Sequence, residues 1–260
     1  MSLWSREQLR IALAPTGLAL LRHRGRPGKP VASKTLVSDT RDWQSLMPLL
    51  ERELADSAWR APRVEVVLSN HYVRYVLTSP PGKALSVPEE AALVGASFRE
   101  IYGNEVADWR IRAHSQPPQF GLVGAAIDER LAVQLGEVLN RHNYPDWTLN
   151  PLATLAAQRK PNQIADWWVL AEPGWLCLFN AVGGYWRYVS GRPVDDHWQS
   201  HLPEILDREA RMAGNQVGKS QTAFIQSVGA GHGTPPVAAG WNWRATQSSL
   251  EHGVLALAMG

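Results

Sequence analysis

The chain opens with two short apolar runs, residues 9–14 and 18–22, parted by Pro15, Thr16 and Gly17; the pattern predicts strand, turn, strand. A third strand is expected over 30–37. Trp43, Leu46, Leu50 and Leu54 then recur at helical spacing, so a helix is predicted over 42–54, with Pro48 marking its start or kinking it. Residues 63–68 read as a strand and 71–77 as another. Ser86 followed by Glu89 is a capping-box pattern and predicts a helix to about Tyr102. Strands follow at 108–113 and 121–127. Asp128 caps a helix whose Leu131, Leu135, Val138 and Leu139 form one apolar stripe. Residues 148–158 give a short strand end and a small-residue helix.

Residues 159–163 are polar, contain Pro161, and form the most linker-like segment of the chain, which puts a boundary there. Beyond it the opening pattern returns: a strand at 167–171, a turn at 172–174, a strand at 175–181, a Gly183-Gly184 turn and a third strand at 185–190. An amphipathic helix over 195–212 carries Trp198, Leu202, Ile205 and Glu209 in step, with Pro203 as a kink point. A strand at 221–228 runs into a glycine-rich loop, and a small-residue helix closes the chain. Three antiparallel strands and then a helix occur twice, a duplication of topology without visible likeness of residues.

Composition narrows the function classes. Of 260 residues, 45% are apolar and 19% charged, which is globular. A formal charge of +2 with no run of five like charges gives no pull toward nucleic acid or anionic lipid. One cysteine, Cys177, excludes an internal disulfide and fits a reducing compartment. Arg6 and Arg10 precede an apolar run that Pro15 and Gly17 interrupt, unlike a signal peptide, and no stretch reaches the roughly 18 apolar residues of a spanning helix. The expectation is a soluble, cytoplasmic protein with no nucleic-acid partner and no direct membrane insertion.

The doubled meander–helix–strand pattern resembles the ribonuclease H-like unit of the actin-like superfamily, and within it PilM and the cytoplasmic portion of the L-type protein of type II secretion. Leu68-Ser-Asn-His-Tyr-Val-Arg-Tyr-Val-Leu77 resembles that family's strand-and-arm segment. The run from Glu90 through Phe98-Arg-Glu-Ile-Tyr-Gly103 to Trp109 is similar to the helix and strand after it. Trp168-Val-Leu-Ala-Glu-Pro-Gly-Trp-Leu-Cys-Leu178 is similar to the hairpin that opens the second domain, and Ala256-Leu-Ala-Met-Gly260 to the closing helix. The resemblance implies an α/β fold of two ribonuclease H-like domains with a cleft between them. The first would span 1–160, with an inserted subdomain at about 70–125, and the second 161–260. It further implies a cytoplasmic scaffold for a type IV pilus or type II secretion platform, peripheral to the inner membrane through a membrane-anchored partner.

ATP-using members of the superfamily carry an Asp-x-Gly in each opening hairpin to hold metal and phosphate. The corresponding positions are Ala12 and Ala14 in the first hairpin and Ala171-Glu-Pro-Gly174 in the second. Ala12 cannot bind a cation through water, while Ala14 and Pro173 stiffen turns that should lie against phosphate. Only Val228-Gly-Ala-Gly-His-Gly233 retains the look of the adenosine loop, with Gly229, Gly231 and Gly233 to line an adenine. The resemblance therefore implies no catalytic residues and no required cofactor, with weak ATP or ADP binding at most. An ATP-dependent kinase or ATPase of the same fold is the alternative.

Other motifs have blander readings. Ala213-Gly-Asn-Gln-Val-Gly-Lys-Ser220 matches a relaxed Walker A string, but a phosphate loop with Lys219 and Ser220 needs a strand before it and a helix after it, and here the order is reversed. His197 and His201 stand four apart on the predicted helix, a zinc-compatible spacing, yet no third ligand is suggested, so surface histidines and no metal are expected. Glu89-Glu90 and Asp195-Asp196 suit helix starts. Among twelve tryptophans, alternation sends Trp167 and Trp168 to opposite sheet faces, while Trp241 and Trp243 share a half-exposed strand. An exposed tryptophan is a favoured anchor for a partner, and Trp167 and Trp243 are the candidates.

Overall fold

A computed structural model describes residues 7–23, 30–159, 161–214, 220–229 and 237–246. In chain order its elements are β1 (Gln8–Ala14), β2 (Gly17–His23), β3 (Ala32–Val37), α1 (Leu46–Leu54), β4 (Arg63–Leu68), β5 (Arg74–Leu77), α2 (Val87–Tyr102), β6 (Trp109–His114), β7 (Val123–Asp128) and α3 (Glu129–Arg141). They continue with β8 (Trp147–Pro151), α4 (Leu152–Ala156), α5 (Pro161–Ile164), β9 (Trp167–Glu172), β10 (Trp175–Val182), β11 (Tyr185–Pro193), α6 (Leu202–Met212), β12 (Gln221–Ser227) and β13 (Trp241–Thr246). The chain divides into two compact units: residues up to 73 with 127–156, and residues 74–126 with 157–249.

The first unit is built on a five-stranded sheet of order β3-β2-β1-β4-β8. β1, β2 and β3 form an antiparallel meander, while β4 runs parallel to β1 and β8 parallel to β4. Leu9, Ile11, Ala12, Leu13 and Leu18 to Leu21 are fully buried, so both faces of the central hairpin are covered. Gly17 is required where β2 leaves the turn: at φ +151° a Cβ would lie 2.1 Å from the Leu36 carbonyl oxygen. On β4, Glu65 accepts from Arg10 Nε at 2.8 Å, Gln8 Nε2 at 3.1 Å and Asn150 Nδ2 at 3.2 Å, tying β1, β4 and β8 together side by side.

Helix α1 starts at Leu46, later than the apolar spacing suggested, because Asp42 Oδ1 accepts the Ser45 N–H at 2.8 Å and holds the preceding residues in a turn. Pro48 then falls in the first turn, where its missing N–H has no intrahelical acceptor to lose. Leu46, Met47, Leu50 and Leu54 form the buried face, and α1 packs against α3. Asp128 caps α3 as expected, its Oδ1 accepting the Arg130 N–H at 2.8 Å. Burial opposes ionisation there, but the hydrogen bonds from Arg130 outweigh it and hold the carboxyl below its ordinary pKa.

The second unit repeats the arrangement. Its five-stranded sheet has the order β11-β10-β9-β12-β13, an antiparallel meander followed by two parallel strands. Gly183 and Gly184, at φ 60° and 83°, make the turn between β10 and β11, a conformation that disfavours side chains. One face of the sheet packs Trp167, Val169, Leu176, Leu178, Ala223 and Ile225 against Leu202, Leu206 and Ala210 of α6. Glu209 of α6, also buried, accepts from Tyr188 Oη at 2.5 Å and Ser190 Oγ at 2.8 Å and lies 3.4 Å from an Arg192 nitrogen, fastening the helix to β11.

The same unit contains a three-stranded sheet of order β5-β7-β6, covered by α2. Ser86 donates to the Glu89 carboxylate from its N–H at 2.8 Å and its hydroxyl at 2.7 Å, so the capping box starts α2 where the sequence placed it. Val94 and Phe98 pack on Val76, Leu122 and Ala126, and Gly124 gives them room, since a Cβ would come within 3.0 Å of both α2 side chains. Residues 71–77 are not one strand: Ser69 Oγ accepts the His71 N–H at 3.3 Å, a single 3-10 turn spans Asn70–Tyr72, and only then does β5 begin. Segment 74–126, which the sequence reading inserted into the first half, falls in the second unit. Tyr75 meets Phe179 edge-on with ring centroids 5.8 Å apart, and Phe120 stacks on Tyr185 at 4.8 Å. Gln116 grips β11 as a strand would: its Oε1 accepts the Trp186 N–H at 2.7 Å and its Nε2 donates to the Trp186 carbonyl at 3.0 Å.

Candidate functional site: two matched hairpins

The sequence reading singled out the opening hairpin of each unit, and each is described by itself. Duplication holds here at the level of single hydrogen bonds. In the first unit the Ser69 N–H, just past β4, donates to the Leu13 carbonyl at 2.9 Å; in the second the Val228 N–H, just past β12, donates to the Ala171 carbonyl at 2.8 Å. That correspondence aligns Leu13 with Ala171, Ala14 with Glu172 and Pro15 with Pro173. Ala14 pairs with Gly17 and Glu172 with Trp175, so each hairpin closes through a two-residue turn, Pro15-Thr16 or Pro173-Gly174.

Both turns therefore carry proline first. Proline sets φ near −65° and has no N–H, so neither hairpin offers an amide at that position to an incoming anion. Gly174 at φ 75° supplies the left-handed second position of a Pro-Gly turn. The sequence reading weighed Pro173 alone; the signal for Pro15 was its matching turn position, visible only once the strand register is known.

Nor does either hairpin present an acid at its tip. Ala12 is fully buried and Ala14 nearly so. Glu172 is buried too, at 1% exposure, on the sheet face that meets β5. Its charge helps push up both neighbours there: burial and then the Cys177 and Glu172 charges raise the Tyr75 hydroxyl well above its usual value, and burial followed by Glu172 raises the Cys177 thiol. Arg74 lies over the Trp175 ring at 5.7 Å. This is a carboxylate enclosed among side chains rather than one aimed at a metal. Among the described residues no group of three His, Cys, Asp or Glu side chains could hold a metal ion.

Gly229, at φ 68°, lies two residues past the end of β12; Gly231 and Gly233 lie outside the described residues, as do Lys219 and the small-residue helix expected at 256–260. Ser220 is described and immediately precedes β12, so the 213–220 string stands between a helix and a strand. His197 and His201 do not share a helical face. α6 begins at Leu202, with Pro203 at its start instead of kinking its middle, and both histidines sit in the turns before it.

The tryptophan anchors need correction. Trp167 is fully buried: it faces α6, and its Nε1 donates to Gln221 Oε1 at 2.7 Å. Trp168, on the opposite face, is buried as well, stacked on Phe179 at 4.7 Å and near Trp186 at 5.8 Å. Both faces of the sheet are covered, so Trp167 is a core residue and no anchor. Trp243 is half-buried and stacks on Trp241 at 5.8 Å with an interplanar angle of 12°.

Two sheets of the same strand order, each a meander extended by parallel strands, define an actin-like ATPase fold. Solved structures bear this out. The chain is similar to the cytoplasmic domain of EpsL, an inner membrane component of the type II secretion system of Vibrio cholerae, at 15% identity and a TM-score of 0.62 over 97% of this chain and 92% of that one. It is similar to PilM–PilN, a type IV pilus biogenesis complex, at 12% identity and a TM-score of 0.59 over 85% and 81%. A protein of actin-like ATPase fold and unknown function from Bacteroides thetaiotaomicron matches at 11% identity and a TM-score of 0.55 over 86% and 82%. No protein-family model and no curated sequence matches the chain. Among the described residues no helix is long and apolar enough to cross a membrane.

Proposed function

We propose that this chain is a non-catalytic actin-fold scaffold of an inner-membrane platform of the type II secretion or type IV pilus kind, and that it works by binding a membrane-anchored partner. The observation that carries the reading is the matched pair of proline-first turns, Pro15-Thr16 and Pro173-Gly174, beside alanines and an enclosed glutamate. Actin-like hydrolysis needs a cation near the phosphates and backbone amides that approach them from two hairpins. Both hairpins lack an amide at the first turn position, and Ala12 has no oxygen to offer. The fold is retained while the chemistry that would turn over ATP is not. The secretion and pilus proteins that share the fold supply the class of machine by analogy.

Calorimetry with ATP, with and without magnesium, tests the first half of the reading, together with phosphate release. The expected result is binding that is weak or absent, indifferent to magnesium, and no hydrolysis above background. Tight magnesium-dependent binding with enzyme-like turnover would return the protein to the ATPases. Binding to the cytoplasmic segment of a membrane component encoded beside it tests the second half.

A further inference from the structure

The two sheets treat their meander edges differently. In the second unit Gln116 occupies the outer N–H and carbonyl of Trp186, so the β11 edge is capped at that position. In the first unit β3 is the end strand, and no described strand pairs with its outer side. An uncapped edge strand is a template for another chain, and folded proteins usually blunt one with a bulge, a proline or an outward lysine. β3 pairs with β2 in unbroken register from Ala32 to Val37 and contains no proline. Its one lysine is drawn aside, Lys34 Nζ donating to Glu53 Oε2 of α1 at 2.7 Å.

The sequence of this edge is nearly its own mirror. Residues 31–37 read Val, Ala, Ser, Lys, Thr, Leu, Val. Two copies paired antiparallel about Lys34 would set Val31 opposite Val37, Ala32 opposite Leu36 and Ser33 opposite Thr35, like against like on each face. Val31, just before β3, and Val37, its last residue, are 55% and 77% exposed, large values for valines. The backbone agrees with that centre. Ser38 N–H donates inward to the Thr16 carbonyl, and counting back in twos turns Leu36, Lys34 and Ala32 toward β2; Val31 breaks the alternation, its N–H also donating inward, to the Arg22 carbonyl at 2.8 Å, so the regular edge begins at Ala32. Ser33 and Thr35 then point their amides and carbonyls outward, so the pairing joins outward groups to outward groups. The two facing lysines each bring their own Glu53, which removes the like-charge penalty.

We propose that β3 is a two-fold interface for a second copy of this chain, joining two five-stranded sheets across an antiparallel β3–β3 pair centred on Lys34. The inference stands apart from the scaffold reading, because it needs neither a membrane partner nor the absence of ATP turnover.

A pairing of this length lies at the small, transient end of interfaces. Sedimentation of the full chain from about 1 to 500 μM should therefore show a monomer–dimer equilibrium. Thr35→Pro removes an outward amide, and Thr35→Lys adds a charge beside Lys34 while leaving the backbone free to pair with β2; each should weaken the dimer at least tenfold. Lys34→Cys provides the register: opposed residues of a non-hydrogen-bonded pair bring their Cβ atoms near disulfide distance, and the native Cys177 is buried. Mild oxidation should cross-link Lys34→Cys and leave the natural chain uncross-linked. A chain that stays monomeric throughout the range, or a dimer unaffected by Thr35→Lys with no Lys34→Cys cross-link, would overturn the proposal.

Discussion

Replacing Trp167 separates a core residue from a surface anchor. Trp167→Ala removes a fully buried indole that meets Tyr188 and Trp241 edge-on, with ring centroids 5.9 and 6.5 Å away, and it abolishes the 2.7 Å hydrogen bond to Gln221. Truncating a buried aromatic to alanine costs about 3–5 kcal/mol, and the lost indole N–H bond lies within that range or adds about 1 kcal/mol. With a urea m-value of about 2–3 kcal/mol per molar, the second unit's unfolding midpoint should fall by roughly 1–2.5 M. Trp167→Phe keeps part of the ring packing and loses the N–H, so an intermediate shift is expected. Trp243→Ala, at a half-buried site, should lower the midpoint by no more than about 0.5 M. Equilibrium urea denaturation followed by far-ultraviolet circular dichroism gives the three midpoints. If Trp167→Ala unfolds within about 0.3 M of the natural chain, the packing of this sheet against α6 is wrong, and a partner-facing role for Trp167 must be reinstated.

Two further outcomes follow from polar groups. Burial, then the hydrogen bond to Glu209, pushes the Tyr188 hydroxyl up to about 12. A raised folded pKa stabilises the protein below the unfolded value of about 10 and loses that stabilisation as pH climbs toward 12. The side chain is partly exposed, so the effect is about 1–2 kcal/mol after screening. Tyr188→Phe should flatten the alkaline limb of a stability–pH curve, and an unchanged limb would contradict the Tyr188–Glu209 contact. Gln116→Ala strips both bonds from Trp186, so hydrogen exchange at the Trp186 amide should accelerate at least tenfold with the core of α6 unaffected. Unchanged exchange at Trp186 would show that the carboxamide does not cap β11.

Much of this architecture was readable because short-range chemistry encodes it. The Ser86–Glu89 box, the Asp128 cap and the Gly183-Gly184 turn act within a few residues, and each fell where the sequence put it. The repeated meander was legible from strand spacing, and the proline-first turn of the second hairpin from Pro173 and Gly174. What failed depended on partners far along the chain. Alternation correctly sent Trp167 and Trp168 to opposite faces, but nothing local says that α6 covers one face while the other is also enclosed. The helix around His197 began late because Pro203 suits a first turn better than a middle one, a preference that apolar spacing does not register. The shared proline of the two hairpins needed the Ser69–Leu13 and Val228–Ala171 bonds to align them.

The interleaving of the units sets an order on biosynthesis. The first sheet is complete only when β8 emerges, because Asn150 on β8 reaches back 85 residues to Glu65 on β4. Segment 74–126 leaves the ribosome before that, yet the strand it grips arrives later still, Trp186 following Gln116 by 70 residues. At the slower end of ribosomal elongation that interval is on the order of ten seconds, long compared with hairpin formation. Throughout it Tyr75 and Phe120 lack their ring partners Phe179 and Tyr185, and Gln116 lacks the backbone of Trp186. Arrested chains ending between β7 and β11 should accordingly be captured by a holdase chaperone more readily than chains that include β11.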